Sequence, residues 1–451
     1  MRNLILRNRF VEKIQRRSRI ATTAVSVVLA LCWFAPSAAQ AGIDIGMELS
    51  HGWTSNPSAA WTIADSNGTP QLWGDLKGIA ADSGHDLGWI STIKPVRHDC
   101  SGGDCDTHFT DIESQARLMS AWLQQSPQDF GSSAIDAVVL VGHSQGTLRN
   151  RAALQLGYLP SSIASKTIGL VNIGSPGAGA PVVLNAPGFI TRVQADLLLA
   201  HPILGAAATG AIGYLSVTNP VVSAIRGSDR FPGFADMKPN GQFISRINAQ
   251  SVQTCRWKRG WKWVGWLWWR HRVPHWFYVC KRVPADNRIP AHVAVLDIVG
   301  TDNNVFHVLA GGPENQAKID EITEQFRGLS VYFGALSAAY WAAVFLPPWQ
   351  WWFAPSAIAA ADLSYITGNF YNVWQVDLVG SREGDATVPL YSQRFLSDHK
   401  YLLENPLLSY HARVGTVHGN EPSHNRTIKH TLWFMDARNE KGAHAGWKKL
   451  H

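Results

Sequence analysis

The sequence predicts an α/β fold, in which a mostly parallel central sheet carries helices on both faces. From Gly42 onward, short apolar runs alternate with segments of helical periodicity, as in a parallel sheet that helices cover on both sides. One of the runs ends directly on a Gly-X-Ser-X-Gly pattern. Two long segments interrupt the alternation, and they predict large cap or lid insertions above one edge of the sheet.

The predicted organisation follows from the positions of these segments. Strands are predicted over 43–49, 90–96, 137–141, 168–173, 292–299 and 373–379, with 409–417 as a candidate last strand, and a helix over 112–124. The predicted units are a signal peptide (1–41), a first part of the core (42–186), a cap or lid insertion (187–290) with a tryptophan-rich cationic hairpin (255–280), a core strand (291–302), a second apolar insertion (303–370) and the rest of the core (371–451).

The first 41 residues have the composition of a secretory signal peptide. Basic residues precede an apolar stretch over 21–34, and the small-X-small sequence Ala39-Gln40-Ala41 follows it. The alternative is an uncleaved anchor, for which the stretch is short of the roughly 20 residues that a span needs. We therefore expect cleavage after Ala41 and a secreted or periplasmic protein.

Cleavage changes the charge and the cysteine count. It removes seven basic residues and one acidic residue, so the formal net charge falls from +7 to +1, and a nucleic-acid partner is not expected. Four cysteines remain, namely Cys100, Cys105, Cys255 and Cys280, and an even number in an exported chain predicts two disulfides. Local pairing favours Cys100 with Cys105 and Cys255 with Cys280, among three connectivities. No zinc spacing is present, and no metal or cofactor is predicted.

The pentapeptide Gly142-His143-Ser144-Gln145-Gly146 follows the predicted strand 137–141 and precedes a helical segment. A strand that turns at once into a helix makes a sharp bend, which leaves the serine hydroxyl projecting from the end of the sheet. The glycines keep side chains out of the crowded bend. Ser144 is therefore the predicted nucleophile.

A serine nucleophile needs a histidine base and a carboxylate that orients it. Asp385, in a glycine-containing loop after the predicted strand 373–379, is the predicted acid, and Asp302 is the alternative. Of the histidines near the C-terminus, His411 falls in a predicted strand and His430 in a predicted helix. His418, flanked by small residues in the loop between them, is the predicted base, with His424 as the alternative.

The developing oxyanion needs two N–H donors. The residue after the nucleophile, Gln145, supplies one of them. The second is predicted from Trp53, in the loop that follows the strand 43–49. His51, in the same loop, is interpreted as a structural residue.

These segments resemble the α/β-hydrolase superfamily, in particular secreted bacterial lipases and esterases. The segments that carry the resemblance are His51-Gly52-Trp53, Asp99 with the Ser-Gly-Gly after it, Gly142 to Gly146, Ile173-Gly174-Ser175-Pro176 and Gly384 to Pro389. They occur in the chain order Ser, Asp, His. The resemblance implies an α/β-hydrolase fold with Ser144, Asp385 and His418 as nucleophile, acid and base. The chain departs from the pattern at Gly177, where such lipases often have His. The resemblance does not extend to the two insertions, 187–290 and 303–370, so it implies nothing about the substrate.

The two insertions carry most of the unusual composition. The segment 256–283 holds seven tryptophans and eight basic residues without an acidic one, which predicts either contact with a lipid interface through 256–279 or a hairpin packed on the protein body. The segment 331–345 is too short to span a bilayer by itself and is followed by Pro347-Pro348. It is predicted to line an acyl pocket or to lie on a surface.

The predicted function is a secreted serine carboxylester hydrolase that acts on lipid or other hydrophobic esters. An acyltransferase or a polyester depolymerase could use the same triad, because the acyl-enzyme can be discharged to acceptors other than water. A third hypothesis is a non-catalytic protein that binds a membrane or another surface through the tryptophan-rich hairpin. The oligomeric state is not predicted.

Overall fold

A computed structural model describes residues 42–52, 61–64, 70–73, 76–97, 110–125, 130–208, 231–264, 271–285, 287–345 and 350–451. Of residues 251–264 and 271–284 it describes the backbone alone. The predicted signal peptide, Trp53, Cys100 and Cys105 lie outside the described residues.

The strands are β1 (Ile43–Ser50), β2 (Thr62–Ala64), β3 (Pro70–Leu72), β4 (Ile90–Arg97), β5 (Ala137–His143), β6 (Thr167–Ile173), β7 (Ser251–Val264), β8 (His271–Pro284), β9 (Ala294–Gly300) and β10 (Ser409–Val414). The α-helices are α1 (Leu76–Asp82), α2 (Ile112–Gln125), α3 (Gln145–Gln155), α4 (Ser161–Ala164), α5 (Pro181–Ala200), α6 (Pro232–Ala235), α7 (Gln242–Ile247), α8 (Val305–Ala310), α9 (Gln316–Phe345), α10 (Ala354–Gly368), α11 (Phe370–Val373), α12 (Leu390–Gln393), α13 (Phe395–Asp398), α14 (Asn425–Met435) and α15 (Ala443–Leu450). A π-helix spans Trp374–Val379, and 3-10 turns span Trp351–Phe353, Lys400–Leu402, Pro406–Leu408 and His418–Asn420.

Six of these strands form one parallel sheet in the order β10-β9-β6-β5-β1-β4. The chain passes from β1 outward to β4 and then returns to place β5 on the other side of β1. The strand order therefore reverses between β1 and β5. The carboxyl ends of strands at such a reversal border the crevice in which open α/β sheets bind ligands.

Both faces of the sheet are buried, which confirms the predicted fold class. Along β5, Val138 and Leu140 face one hydrophobic cluster, with α2, α3, α4 and α7. Val139 and Val141 face a second cluster, with α1, α14 and α15. The uninterrupted apolar runs read from the sequence follow from this double burial, because neither side of the strand meets water.

The predicted strand over 373–379 is wrong, because this segment is helical. It continues from α10 through α11 into the π-helix Trp374–Val379, and its buried residues Val373, Gln375, Leu378 and Val379 pack on the protein. A short apolar run cannot be assigned to strand or helix by periodicity alone. In the described sheet β9 pairs with both β6 and β10, so no position is left between those strands.

The described part of the predicted second insertion (303–370) is mostly helical. Helix α9 pairs with α10, and α5 packs against both around the small cluster Ala200, Phe333, Ala359, Ala360 and Leu363. Among the described residues, one helix is long enough and apolar enough to cross a membrane, and this helix is α9. The segment 331–345 is the second half of this 30-residue helix, so the apolar run continues a helix that begins before it.

The tryptophan-rich segment forms the antiparallel ribbon β7–β8. Its register runs from Ser251 opposite Pro284 to Val264 opposite His271, and it places Cys255 opposite Cys280. This register is compatible with the predicted Cys255–Cys280 disulfide, which stays a prediction.

Candidate active site

The candidate nucleophile lies in a strained bend between β5 and α3. Ser144 has φ 53° and ψ −125°, a left-handed conformation that a residue with a side chain rarely adopts. The neighbouring glycines explain how the bend fits. A Cβ on Gly142 would lie 2.6 Å from the amide nitrogen of Thr147, and one on Gly146 would overlap the carbonyl of Ser50 in β1. The bend therefore requires glycine at both positions.

Ser144, His418 and Asp385 form a continuous hydrogen-bonded series. His418 Nε2 lies 2.8 Å from Ser144 Oγ, and His418 Nδ1 lies 2.7 Å from Asp385 Oδ2. The arrangement assigns the Nδ1 proton to the bond with Asp385, which leaves Nε2 to accept from the serine hydroxyl. Ser144 is half-buried, and the His418 side chain is 12% exposed, so the reacting atoms are within reach of a ligand.

The loop around Asp385 fixes the orientation of its carboxylate. Asp385 Oδ1 accepts from the amides of Thr387 at 2.9 Å and Val388 at 2.7 Å, which leaves Oδ2 for the histidine. The amide of His418 donates to the carbonyl of Asp385 at 3.1 Å, so the acid loop and the base loop are also joined through their backbones. Gly384, at φ 150°, makes the turn that delivers the aspartate.

Two opposing effects act on His418. Burial disfavours the charged ring, but the Asp385 carboxylate, through its charge and its hydrogen bond, and the nearby Glu421 outweigh it and raise the pKa of His418. The imidazolium that forms when the serine loses its proton is thereby stabilised.

The structure does not bring the two alternative residues to Ser144. Asp302 Oδ2 lies 2.6 Å from Nδ1 of His307, in α8, which gives this carboxylate a different histidine. His424 is the N-cap of α14, where its Nδ1 accepts from the amide of Arg426 at 3.2 Å. His411 lies in β10 and His430 in α14, as the sequence predicted.

Of the two candidate oxyanion donors, Gln145 and Trp53, the structure describes Gln145 alone. Gln145 is the first residue of α3, and within the described part of the chain its amide has no acceptor. Trp53 lies outside the described residues, but Gly52, its predecessor, is in contact with the nucleophile. A Cβ on Gly52 would lie 2.8 Å from Cβ of Ser144. The loop after β1 therefore reaches the serine, as the predicted second donor requires.

His51 Nδ1 lies 2.8 Å from the carbonyl of Gly52, so its side chain is used inside the loop. Beneath this loop is a buried polar cluster that includes Glu48, Ser50, Arg149 and Asn150. The Ser50 hydroxyl lies 2.5 Å from Glu48 Oε1 and 2.8 Å from Asn150 Oδ1, and Arg149 Nε donates to it at 3.2 Å. This cluster connects the end of β1 to α3, whose first residue, Gln145, is a candidate oxyanion donor.

Glu421 is a site residue that the sequence analysis missed. It is fully buried, and its Oε2 lies 3.5 Å from Nδ1 of His418 and 3.7 Å from Nε2 of His143. Neither carboxyl oxygen has a hydrogen-bond partner among the described residues. A Cβ on Gly174 or Gly300 would overlap this carboxyl, so both glycines make room for it. Burial first, and then the Asp385 carboxylate, raise the pKa of Glu421.

His143, His418 and Glu421 are also a group whose ligand atoms lie within 4.8 Å of one another. The bonds already present do not suit a metal ion. His143 Nε2 lies 2.9 Å from the carbonyl of His418, to which it must donate a proton, and both ring nitrogens of His418 have partners in the triad. We therefore interpret the group as a proton-bearing cluster.

The parallel sheet, the strand reversal and the serine bend with its downstream acid and base decide the fold. The chain has an α/β-hydrolase fold. The candidate nucleophile follows β5, the candidate acid follows the π-helix Trp374–Val379, and the candidate base follows β10. The predicted chain order Ser, Asp, His is thus built on strand and helix ends that meet at one edge of the sheet.

Comparisons with known proteins give distant matches to solved structures. No protein-family model matches the chain, and no curated protein matches it. A phospholipase PlaB from Legionella pneumophila is 11% identical, with a TM-score of 0.27, over 45% of this chain and 35% of that one. The mature lipase BlEst2 from Bacillus licheniformis is 13% identical, with a TM-score of 0.32, over 89% of this chain and 95% of that one. The chain thus spans about a third of the Legionella protein.

Proposed function

We propose that this protein is an exported serine hydrolase that cleaves carboxylic esters with hydrophobic acyl groups. The observation that carries the proposal is the alignment of Ser144 Oγ, His418 and Asp385 at 2.8 and 2.7 Å, on a strained bend beside the amide of Gln145. A serine in an ordinary turn needs neither the unfavourable backbone angles nor the buried carboxylate behind the histidine.

In the proposed reaction, Ser144 Oγ attacks the ester carbonyl while its proton passes to Nε2 of His418. The carbonyl oxygen becomes an oxyanion, and the amides of Gln145 and of Trp53 are the proposed donors to it. When the tetrahedral intermediate collapses, His418 returns the proton to the leaving alkoxide, and the acyl group remains on Ser144. A water molecule, deprotonated by His418, then releases the acid and restores the serine.

A hydrophobic ester is the proposed substrate class because helices α5, α9 and α10 line an apolar groove. A groove of about 560 Å³ in the cap is lined by side chains of α5, α9 and α10, among them Val193, Leu197, Phe326 and Leu363. Its volume is within the range of small-molecule sites, and it suits a hydrocarbon group better than a polar one. Transfer of the acyl group to an alcohol remains possible with the same triad.

A fluorophosphonate probe, which labels activated serines, tests the proposal directly. We expect the wild-type chain to be labelled and the Ser144→Ala variant to be unlabelled. Ser423→Ala is the matched control, because Ser423 lies near His418 in the chain but bonds to the carbonyl of Asn420, and it should be labelled normally. A folded wild-type chain that resists labelling would overturn the proposal and favour a non-catalytic binding protein.

The substrate class has its own test. With p-nitrophenyl esters of increasing acyl length, kcat/KM should rise as the chain lengthens beyond acetate, because more apolar surface is removed from water. A preference for acetate would contradict the hydrophobic-substrate part of the proposal and leave the serine hydrolase part intact. Product analysis in the presence of a primary alcohol distinguishes hydrolysis from acyl transfer.

A further inference from the structure

Helices α9 and α10 form an antiparallel hairpin, which we call the cap hairpin (residues 316–368). Its pairing is fixed by bonds between side chains and backbone carbonyls. Ser330 Oγ donates to the carbonyl of Ser364 at 2.9 Å, Ser364 Oγ donates back to the carbonyl of Ser330 at 2.8 Å, and Ser337 Oγ donates to the carbonyl of Ala357 at 2.8 Å. The polar side chains at this contact are therefore satisfied within the hairpin.

Small residues lie where the two helices touch. A Cβ on Gly334 would lie 3.2 Å from Ser364 Oγ, and one on Gly368 would lie 2.6 Å from Ser330 Oγ. Close backbone approach through Gly, Ala and Ser, with serine hydroxyls bonded across the contact, is typical of helix pairs in lipid.

Several large apolar side chains of the cap hairpin face outward, whereas Phe333 and Leu363 are buried against α5. Val331 is 68% exposed, Phe345 65%, Trp351 73%, Trp352 57% and Ile358 59%. Within α9, only 11% of the most apolar 18-residue window is buried in the protein. The helix is therefore not a core helix of a soluble domain. Trp351 and Trp352 are in ring contact, and exposed apolar surface of this kind marks a site of interaction with a protein or a membrane.

The charges of the hairpin are confined to one end. No charged residue occurs between Arg327 and Asp362. Asp362 accepts from Arg192 of α5 at 2.9 Å, at the end of the hairpin nearer the hydrolase core. The opposite end carries Trp341, Phe345, Trp351 and Trp352. Indole rings favour the boundary between lipid headgroups and acyl chains, and a charge-free tip can enter that boundary without burying a charge.

We propose that the cap hairpin docks this protein on the surface of a neutral lipid bilayer, with its tryptophan-bearing end among the headgroups and upper acyl chains. Docking is a binding property that goes beyond the proposed ester hydrolysis and does not require it. A lipid occupant is favoured over a protein because protein interfaces carry about one hydrogen bond per 100–200 Å², whereas the exposed side chains above offer almost no polar atoms.

The hairpin lies in the membrane surface and does not cross it. Only the first two turns of α10 precede Asp362, which at 1.5 Å per residue gives a charge-free depth of about 12 Å. The hydrocarbon core is about 30 Å thick, so crossing would bury the Arg192–Asp362 pair in lipid. Insertion by roughly the depth of an interfacial helix is compatible with the charges.

Flotation with phosphatidylcholine vesicles tests the proposal. We expect the mature chain to float with these vesicles, and the bound fraction to be insensitive to NaCl, because no ionic contact is involved. A Trp351→Asp/Trp352→Asp variant should partition about 100-fold less, since two carboxylates would enter the interface. Both positions are exposed, so the fold should be retained, which circular dichroism checks.

Leu407→Asp is the matched control, because Leu407 is 76% exposed but lies outside the cap. This variant should float like the wild type, as should Ser144→Ala, whose binding separates docking from catalysis. The double variant should still hydrolyse a soluble short-chain ester at the wild-type rate. Failure of the hydrolase proposal would thus leave vesicle binding unchanged.

Three outcomes would overturn the docking proposal. The first is no flotation of the wild-type chain with phosphatidylcholine. The second is binding to anionic vesicles alone that high salt abolishes, which would assign the contact to the basic residues of 256–279. The third is a dimer in size-exclusion chromatography that the double variant dissociates without any vesicle binding, which would assign the surface to a second copy of the chain.

Discussion

The imidazole of His418 faces two carboxyl groups at different distances. Asp385 Oδ2 lies 2.7 Å from Nδ1, within hydrogen-bond range, whereas Glu421 Oε2 lies 3.5 Å away and outside the usual range. Asp385 is also held by two backbone amides, while Glu421 has no hydrogen-bond partner among the described residues. The geometry therefore indicates that Asp385, and not Glu421, orients the imidazole ring of His418.

Replacing each carboxylate separately tests this division. Asp385→Asn should lower kcat on a soluble ester by about 10⁴, because the ring loses the acceptor that sets its tautomer. Glu421→Gln should lower kcat far less, since it keeps the shape of a side chain that makes no bond in the triad. A larger loss in Glu421→Gln than in Asp385→Asn would show that the glutamate orients the ring.

The pH dependence of stability provides an independent test of Glu421. Its pKa is raised in the folded chain above the value of 4.5 expected without burial, so the folded chain binds this proton more tightly than the unfolded chain. The stability that the proton contributes is fully present below pH 4.5 and is lost as the pH rises through the raised folded pKa. Glu421→Gln removes this loss.

We therefore expect the Tm of Glu421→Gln to increase relative to the Tm of the wild type as the pH rises from about pH 5 to pH 9. Thermal unfolding followed by circular dichroism at several pH values measures the difference. A difference in Tm that stays constant with pH would mean that Glu421 titrates as an ordinary carboxyl group.

The residues of the triad could be proposed from sequence, whereas Glu421 could not. Ser144 has a local signature, and Asp385 and His418 lie in loops with small neighbours in the required chain order. Glu421 follows His418 by three residues, but an acidic residue in a polar loop is ordinarily solvated. Its burial comes from Gly174 and Gly300, which belong to other strand ends and come close only in the folded chain.

At the scale of elements, the bend between β5 and α3 depends on how closely the helix approaches β1. Gly146→Ala should destabilise the protein by about 3 kcal/mol or more, because its Cβ would overlap the backbone carbonyl of Ser50, which has no room to move. Gly188→Ala is the matched control. Gly188 lies in α5 with nothing within 4 Å of an added Cβ, so alanine there should be neutral or slightly stabilising.

Urea unfolding of the two variants measures the difference. Equal effects on the free energy of unfolding would indicate that α3 can shift away from β1 without loss. Residual esterase activity of folded Gly146→Ala would report separately on the position of the Gln145 amide.

Strands could be predicted from the sequence where an apolar run is also buried on both faces of the folded sheet. Runs such as 137–141 and 168–173 became strands because they are buried on both faces. The run 373–379 has a similar composition but continues a helix, and the sequence alone could not reveal that β9 and β10 already pair. The loop position of Asp385 could nevertheless be predicted from the sequence. Gly384 and the turn after it form through local chemistry, whether a strand or a helix precedes them.

At the scale of the whole molecule, the β7–β8 ribbon is an addition to the hydrolase core. Its first and last residues, Ser251 and Pro284, pair with each other, so the ribbon leaves and re-enters the body at one place. Residues 256–279 can therefore be removed and the ends joined by a short linker without opening the sheet. If their basic and aromatic residues contact lipid interfaces, the deletion should lower activity on emulsified anionic esters and leave activity on soluble esters unchanged.

The ratio of the two activities before and after the deletion is the measurement. Full-length Ser144→Ala, which should lack both activities, provides the background. An unchanged ratio would assign the ribbon to packing on the protein body. The deletion should not change flotation with phosphatidylcholine vesicles, because that binding is proposed for the cap hairpin.

The segment from Ala354 to Val379 is helical almost without a break, and it joins the outer end of the cap to the loop of Asp385. Near its end, Trp374 Nε1 donates to the carbonyl of Ala386 at 2.7 Å, one residue after the acid. Gly380, with φ 71°, is the joint between this rod and the acid loop. A displacement at Ala354 would be transmitted along these helices to Gly380, five residues before the carboxylate that is hydrogen-bonded to His418.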